Sequence, residues 1–281
     1  YQQALLKIAY LSSPDIETNI RFIMEEAADV LKISRVSMWL FSEDRTSIIC
    51  HDMFSNSDEK KHRSGDIIQE KDFPTYFEAI KKERMIAAPD ARTHPLTYEF
   101  TESYLIPNDI FSMLDVPVWL GGKVIGIICY ESVGKQREWG PVDCDFATSI
   151  ADMAALAVEG DRRRKAEESL KIQKQWSETI INLAPDIVVG RGVNSKITIF
   201  NKFAEELTGY SAGEVIGKIW FDIFIPPEEK PSINIVWDKL VESVGKNHKH
   251  ENFILTKDGR RLNIAWSNSV ITSPLGEQMV L

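Results

Sequence analysis

Apolar positions in the first third of the chain follow two periods in turn. Ile16, Ile20, Ile23, Ala27 and Val30 recur every three or four residues, the stripe of an amphipathic helix that runs to about Lys32. Ser13-Pro14-Asp15 ahead of it predicts the start, with Ser as the cap, Pro at the first helical position and an acid near the positive end. Arg35–Phe41 and residues 47–54 then read as strands around the polar turn 42–46. Between about 65 and 112 the pattern is irregular: a helix carrying Tyr76, Phe77 and Ile80, an apolar run at 85–88, and another short helix from Pro95. Residues 116–120, then Gly121-Gly122, then 123–131 predict a hairpin, because a two-residue Gly-Gly loop tolerates the positive φ of tight turns. Gly126, inside the second strand, leaves room for another backbone or a ligand to come close. From Pro141 the period is helical again, with Phe146, Ile150, Met153 and Ala157 on one side.

The second half repeats this mixture. Arg162-Arg163-Arg164-Lys165 is followed by Ala166, Leu170, Gln173, Ser177 and Ile180, a heptad with polar residues in its seam. It fits either a solvated linker helix or a two-stranded signalling helix whose pairing stays adjustable. Residues 186–191 and 196–200 read as a strand pair around 192–195, and Ser211-Ala212-Gly213-Glu214 has the form of a capping box. Residues 230–244 predict a helix burying Ile233, Val236, Trp237 and Leu240. Strands at 248–256 and 260–271 are joined by Lys257-Asp258-Gly259, with Phe253 and Leu255 alternating on one face, as do Leu262, Ile264 and Trp266. Strands flanked by helices, without strict β-α alternation, give an α+β fold with antiparallel sheets. The expected organisation is a domain at 1–160, a linker helix at 161–182 and a second domain at 183–281.

Composition narrows the function. At 281 residues the chain is long for one core, and 43% apolar with 27% charged is ordinary globular make-up. A net charge of −9 argues against a nucleic-acid partner, which needs a basic face. No apolar run approaches the ~20 residues of a membrane span and no signal-peptide pattern is present, so a soluble, cytoplasmic protein is expected. Cys50, Cys129 and Cys144 lack CxxC spacing, and the five histidines (His51, His62, His94, His248, His250) lack ligand spacing, so neither a disulfide framework nor a metal site is expected. The chain begins at Tyr1 and stops at Met279-Val280-Leu281 within a predicted strand, the expectation being a piece of a longer protein.

Ser112-Met113-Leu114-Asp115-Val116-Pro117-Val118, Gly122-Lys123-Val124-Ile125-Gly126-Ile127, and Arg137-Glu138-Trp139 leading into Phe146 and Ile150-Ala151 resemble, in that order, a GAF domain over about 17–160. Ala88-Pro89-Asp90-Ala91 and Tyr104-Leu105 suit the GAF type fused to bacterial and archaeal sensor kinases and cyclases. Ile199-Phe200-Asn201-Lys202-Phe203-Ala204, Thr208-Gly209-Tyr210-Ser211, Val215-Ile216-Gly217-Lys218 and Lys257-Asp258-Gly259-Arg260-Arg261 resemble a PAS domain over about 173–281. The resemblance implies, for each half, a twisted antiparallel sheet backing a pocket that takes a small molecule or a partner. In the GAF half the lining candidates are Trp39, Cys50, Tyr76, Met85, Asp90, Arg92, Ser112, Asp115, Trp119 and Cys129. In the PAS half they are Phe200, Phe203, Leu207, Trp220, Trp237, Phe253 and Trp266, an apolar set.

Known cofactors of these families are tested by their chemistry, and none is firmly implied. A flavin–thiol adduct needs a cysteine, which the PAS half lacks, and PAS haem needs a histidine on the helix from Pro231, which offers none. A bilin in the GAF half needs an exposed cysteine beside a proton donor, but Cys50 and His51 in a strand point to opposite faces. GAF haem on a cysteine or histidine is chemically allowed, yet buried cysteine is more often a small apolar residue. Asn201-Lys202-Phe203 with Glu205-Glu206 has the wrong spacing for a cyclic-nucleotide phrase. The resemblance therefore implies a sensory input module, homodimeric through its N-terminal and linker helices, feeding an absent histidine kinase or cyclase; no phosphoacceptor phrase or nucleotide loop is present, so the chain itself is not read as an enzyme. Two alternatives stand beside it: a methionine-sulfoxide reductase of GAF type using the three cysteines, and a dimerisation scaffold with filled pockets.

Overall fold

The structure, a computed structural model of the 281-residue chain, describes residues 1–10, 13, 15–56, 61–241, 247–272 and 276–281. It divides into two compact units, Tyr1–Glu167 and Glu168–Leu281.

The first unit begins with α1 (Gln2–Ala9), which the periodicity did not single out, and α2 (Ile16–Leu31). Asp15, rather than Ser13, caps α2, its carboxylate accepting from the N–H groups of Glu17 at 3.4 Å and Thr18 at 3.0 Å. A carboxylate there satisfies two orphan donors and opposes the helix dipole, which a hydroxyl does only in part. Pro14, expected at the first helical position, lies outside the described residues. Then follow β1 (Arg35–Phe41), β2 (Ser47–Ser55), β3 (Lys61–Arg63), β4 (Ile67–Gln69), α3 (Pro74–Lys82), β5 (Ile86–Ala88), β6 (Ile110–Leu120), β7 (Lys123–Val133) and α4 (Pro141–Leu183). The helix expected from Pro95 is instead a 3-10 turn at Tyr98–Phe100 running into a π turn at Thr101–Leu105. Thr97 Oγ1 donates to Ala91 O at 2.7 Å and holds the chain back until that point.

The antiparallel sheet has the order β3-β2-β1-β7-β6-β5, with β4 against β2. One face packs on α1, α2 and the start of α4, the other on α3 and the turns at 98–105. Cover on both faces is why the central strands read as nearly continuous apolar runs. The β6–β7 hairpin closes as predicted, Gly121 and Gly122 having φ of 58° and 76°. Gly126 is forced by a backbone: a Cβ there would lie 2.1 Å from Trp39 O of β1.

The second unit contains β8 (Val189–Gly192), β9 (Ile197–Phe200), α5 (Lys202–Thr208), α6 (Ala212–Val215), α7 (Trp220–Phe224), α8 (Lys230–Val241), β10 (Asn247–Leu255), β11 (Arg261–Thr272) and β12 (Gln278–Val280). Residues 242–244 of the predicted helix lie outside the described residues. The antiparallel sheet runs β10-β11-β12-β8-β9, and its inner face meets the short helices around Ala204, Val215, Trp220 and Phe224. The capping box forms at Ser211 and Glu214, and Gly259 turns the β10–β11 hairpin at φ 83°.

α4 is buried only at its start, through Val158; residues 162–180 are exposed on every side. Its far end is hooked to the second unit by Asn201, whose Nδ2 donates to Ile181 O at 3.1 Å and Asp186 O at 2.9 Å. The same amide's Oδ1 accepts from Val188 N and Ala204 N, each at 3.0 Å. The Phe200-Asn201-Lys202 phrase thus has a physical task, the joint between helix end and sheet.

Candidate functional site

In the first unit, strand alternation sends a polar row into the α3 side of the sheet. Register sets Asp115 opposite Cys129, Cys129 opposite Ser37, and Glu131 opposite Arg35. Tyr76 of α3 donates its hydroxyl to Asp115 Oδ2 at 2.8 Å and lies 3.8 Å from Cys129 Sγ. Asp115 Oδ1 is buried without a partner, and burial pushes this carboxyl up to about 7, against the hydrogen bond from Tyr76. Beside it Arg35 Nε stands 3.0 Å from Glu131 Oε2, an ion pair without hydrogen-bond alignment. Tyr104 donates to Glu131 Oε1 at 2.8 Å and accepts from Arg35 Nη2 at 2.9 Å. Burial raises the Glu131 carboxyl, with Arg35 pulling the other way.

The structure brings Trp39, Cys50, Tyr76, Asp115 and Cys129 to this face, and separates the other GAF-half candidates. Met85 packs into the opposite core with α2 and α4. Asp90 accepts from Arg92 N at 3.2 Å, while the Arg92 guanidinium covers the Phe111 ring at 3.9 Å and donates to Ile110 O at 2.8 Å. Ser112 donates to Pro89 O at 2.5 Å and accepts from Arg137 N at 2.7 Å, which ties down the loop before α4. Trp119 stands 42% exposed near the hairpin tip. Cys50 also borders a cleft of about 400 Å³ with Arg21, Phe41, His51 and Gly65. Burial pushes the Cys50 thiol up to about 12, and raises those of Cys129 and Cys144.

In the second unit, Trp220, Trp237 and Trp266 surround a cavity of about 30 Å³ together with Arg191, His250, Asn252 and Asn268. Phe200 is core, stacked on Phe224 at 5.6 Å; Phe203 and Leu207 border a cleft of about 610 Å³ with Asp186 and Ile187, which shares Arg191, Trp266 and Asn268 with the small cavity; Phe253 is 41% exposed because Ile254 takes the inward position. Arg191 is 9% exposed. Its Nη2 donates to Asn268 Oδ1 at 3.2 Å, and its guanidinium lies 4.4 Å from the Trp237 ring centre and 5.4 Å from that of Trp220. Its Nε has no partner, and neither does His250 Nε2. Burial alone lowers the Arg191 pKa to about 10.

Sequence reasoning missed Arg191, together with Arg35, Ser37, Tyr104 and Glu131. A signal was present: His250 and Asn252 on β10, and Asn268 two places after Trp266 on β11, put polar residues at inward period-two positions. Among the described residues no group of His, Cys, Asp or Glu could hold a metal ion, and no helix is long and apolar enough to cross a membrane.

Comparison with known proteins follows the same division. The GAF domain family matches residues 15–158, and the PAS fold matches residues 177–281. No curated protein matches the chain. Among solved structures, the GAF domain of an Acinetobacter phosphoenolpyruvate-protein phosphotransferase is 14% identical, over 58% of this chain and 92% of that one, with a TM-score of 0.46. Residues 122 to 287 of a methyl-accepting chemotaxis protein are 19% identical, over 58% and 99%, with a TM-score of 0.49. The PAS domain of an HTR-like protein from Haloarcula marismortui is 16% identical, over 42% and 94%, with a TM-score of 0.37. With a GAF match over half its length and a PAS match after it, this chain belongs to the GAF domain family and carries a PAS domain behind its GAF domain.

Proposed function

We propose that the chain is the sensory input region of a cytoplasmic signal-transduction protein, a homodimer that passes a ligand-dependent change along α4 to a histidine kinase or related output domain. In this reading residues 1–160 and 183–281 are the two sensory domains and 161–182 the signalling helix. The polar row at Asp115 and the aromatic cavity of the second unit are the sites where small molecules act. The observation that carries the reading is the exposed stretch of α4. A helix with no cover on any side is expected to be polar, yet Leu170, Ile172, Trp176, Ile180 and Leu183 are exposed there, Trp176 at 66%. At 3.6 residues per turn Ile172, Trp176, Ile180 and Leu183 fall within about a quarter turn of one another, a seam for a second copy.

Sedimentation measures this directly. The wild-type chain is expected to sediment as a dimer, and Trp176→Glu/Ile180→Glu as a monomer with unchanged circular dichroism. A wild-type chain that stays monomeric at high concentration rejects the reading. The reductase alternative loses support from the thiols: that chemistry draws on a lowered thiol pKa, and all three here are raised.

A further inference from the structure

A guanidinium stays charged near neutral pH even where burial lowers its pKa to about 10, so unlike a carboxyl it does not escape burial there by changing its protonation. Buried charges are accordingly found paired or bound to a counter-ion. Arg191 breaks this pattern: among the described residues none pairs a carboxylate with it, and no acidic residue lines the 30 Å³ cavity, Asp186 standing on the larger cleft that Arg191 also borders. It is held instead by two indole faces and one amide oxygen. Nη2 keeps a second hydrogen beyond the one given to Asn268, and Nε on the same edge of the fork is unused. That edge matches the two oxygens of a carboxylate. His250 Nε2, also unused, adds a donor in the tautomer that carries its proton there.

We propose that the Arg191 cavity binds a small monocarboxylate of the size of formate or acetate. Its oxygens meet Nε and Nη2 of Arg191, and its carbon end faces Trp220, Trp237 and Trp266. Size sets the upper limit. A water needs roughly 10–15 Å³, so the cavity's own volume of about 30 Å³ admits two waters or one such anion; a dicarboxylate or nucleotide reaches Arg191 only from the 610 Å³ cleft that shares Arg191, Trp266 and Asn268 with it. The proposal deepens the sensory reading by naming the chemistry of one signal, and the binding itself is measured on this chain alone.

The test is a titration of tryptophan fluorescence and thermal stability with sodium acetate and sodium formate, against chloride and nitrate at equal ionic strength and fixed pH. Acetate or formate is expected to saturate the signal at a concentration roughly tenfold or more below chloride, as the bidentate fit favours two oxygens over a sphere. Arg191→Met removes the cation and is expected to abolish the response. Asn268→Asp keeps the shape but places a built-in carboxylate against Arg191, and is expected to raise thermal stability while abolishing the response. It decides the matter even should Arg191→Met fail to fold. A response equal to that of chloride, or one that persists in Asn268→Asp, overturns the site. A failed titration beside an intact α4 dimer removes the anion and leaves the sensory reading; a monomer that still titrates does the reverse.

Discussion

Glu131 in the first unit and Arg191 in the second are both strand residues whose charge lies against aromatic side chains, but their surroundings differ. Glu131 meets Arg35 at 3.0 Å and the Tyr104 hydroxyl at 2.8 Å, so its charge is answered from within the chain. Its neighbour Asp115 meets no cation among the described residues, only the Tyr76 hydroxyl and the Cys129 thiol, and its raised pKa near 7 lets it hold a proton instead. Arg191 has neither remedy. The Glu131 charge is therefore answered within the first unit, whereas the second leaves a positive site that a solute can fill. A buried acid can take up a proton; a buried arginine without an acid asks for an occupant.

The largest expected effect comes from breaking the completed pair. Arg35→Met strands Glu131, and should cost about 3–5 kcal/mol in urea unfolding. Arg35→Met/Glu131→Leu, which removes both charges, should recover most of that loss. An additive loss in the double variant would mean that the two residues do not answer each other.

Next in size is the pH dependence set by Asp115. Its carboxyl ionises near 3.8 in the unfolded chain and near 7 in the folded one, so the folded state holds the proton more tightly. Its contribution is therefore greatest below pH 4, falls as pH rises towards 7, and is level above that. Tyr76 and Cys129 beside it stay neutral throughout, their own pKa values being raised by burial. From pH 5 to 7 the wild type should lose roughly 2–3 kcal/mol relative to Asp115→Asn, which has no proton to release there. Parallel stability curves for the two proteins over that range would exclude this role for Asp115.

How far the sequence carried these two sites differs for a physical reason. The β6–β7 hairpin, the Gly126 approach and the α2 stripe were legible because turn chemistry and periodicity act over a few residues. Tyr76, Asp115 and Cys129 were legible as lining candidates, but Ser37, Arg35, Tyr104 and Glu131 were not, because only register and the 98–105 turn bring them beside that group. Trp220, Trp237 and Trp266 were legible as bulky apolar residues in a sheet-and-helix pattern. Arg191 was not, since an arginine in a strand ordinarily points to solvent, and its inward position follows from the β8 pairing with β9 and β12. The exposed apolar positions on α4 were only half legible: heptad reasoning selected Leu170 and Ile180, while exposure in the structure adds Ile172, Trp176 and Leu183.

The smallest expected effect is the most telling, because its sign separates the two units. Arg191→Met strands no acid, so nothing buried loses its counter-charge. It forfeits cation–π contacts worth about 0.5–2 kcal/mol and the bond to Asn268, and it removes the desolvation penalty of a buried guanidinium. These offset, and the stability of the variant in chloride buffer should lie within about 1 kcal/mol of the wild type. Added acetate should then open a gap, since a ligand that binds only the folded wild type stabilises it by RT ln(1 + [L]/Kd) and leaves the variant where it was. A loss in chloride as large as that of Arg35→Met would mean that Arg191 is already paired, and the contrast between the two units would vanish.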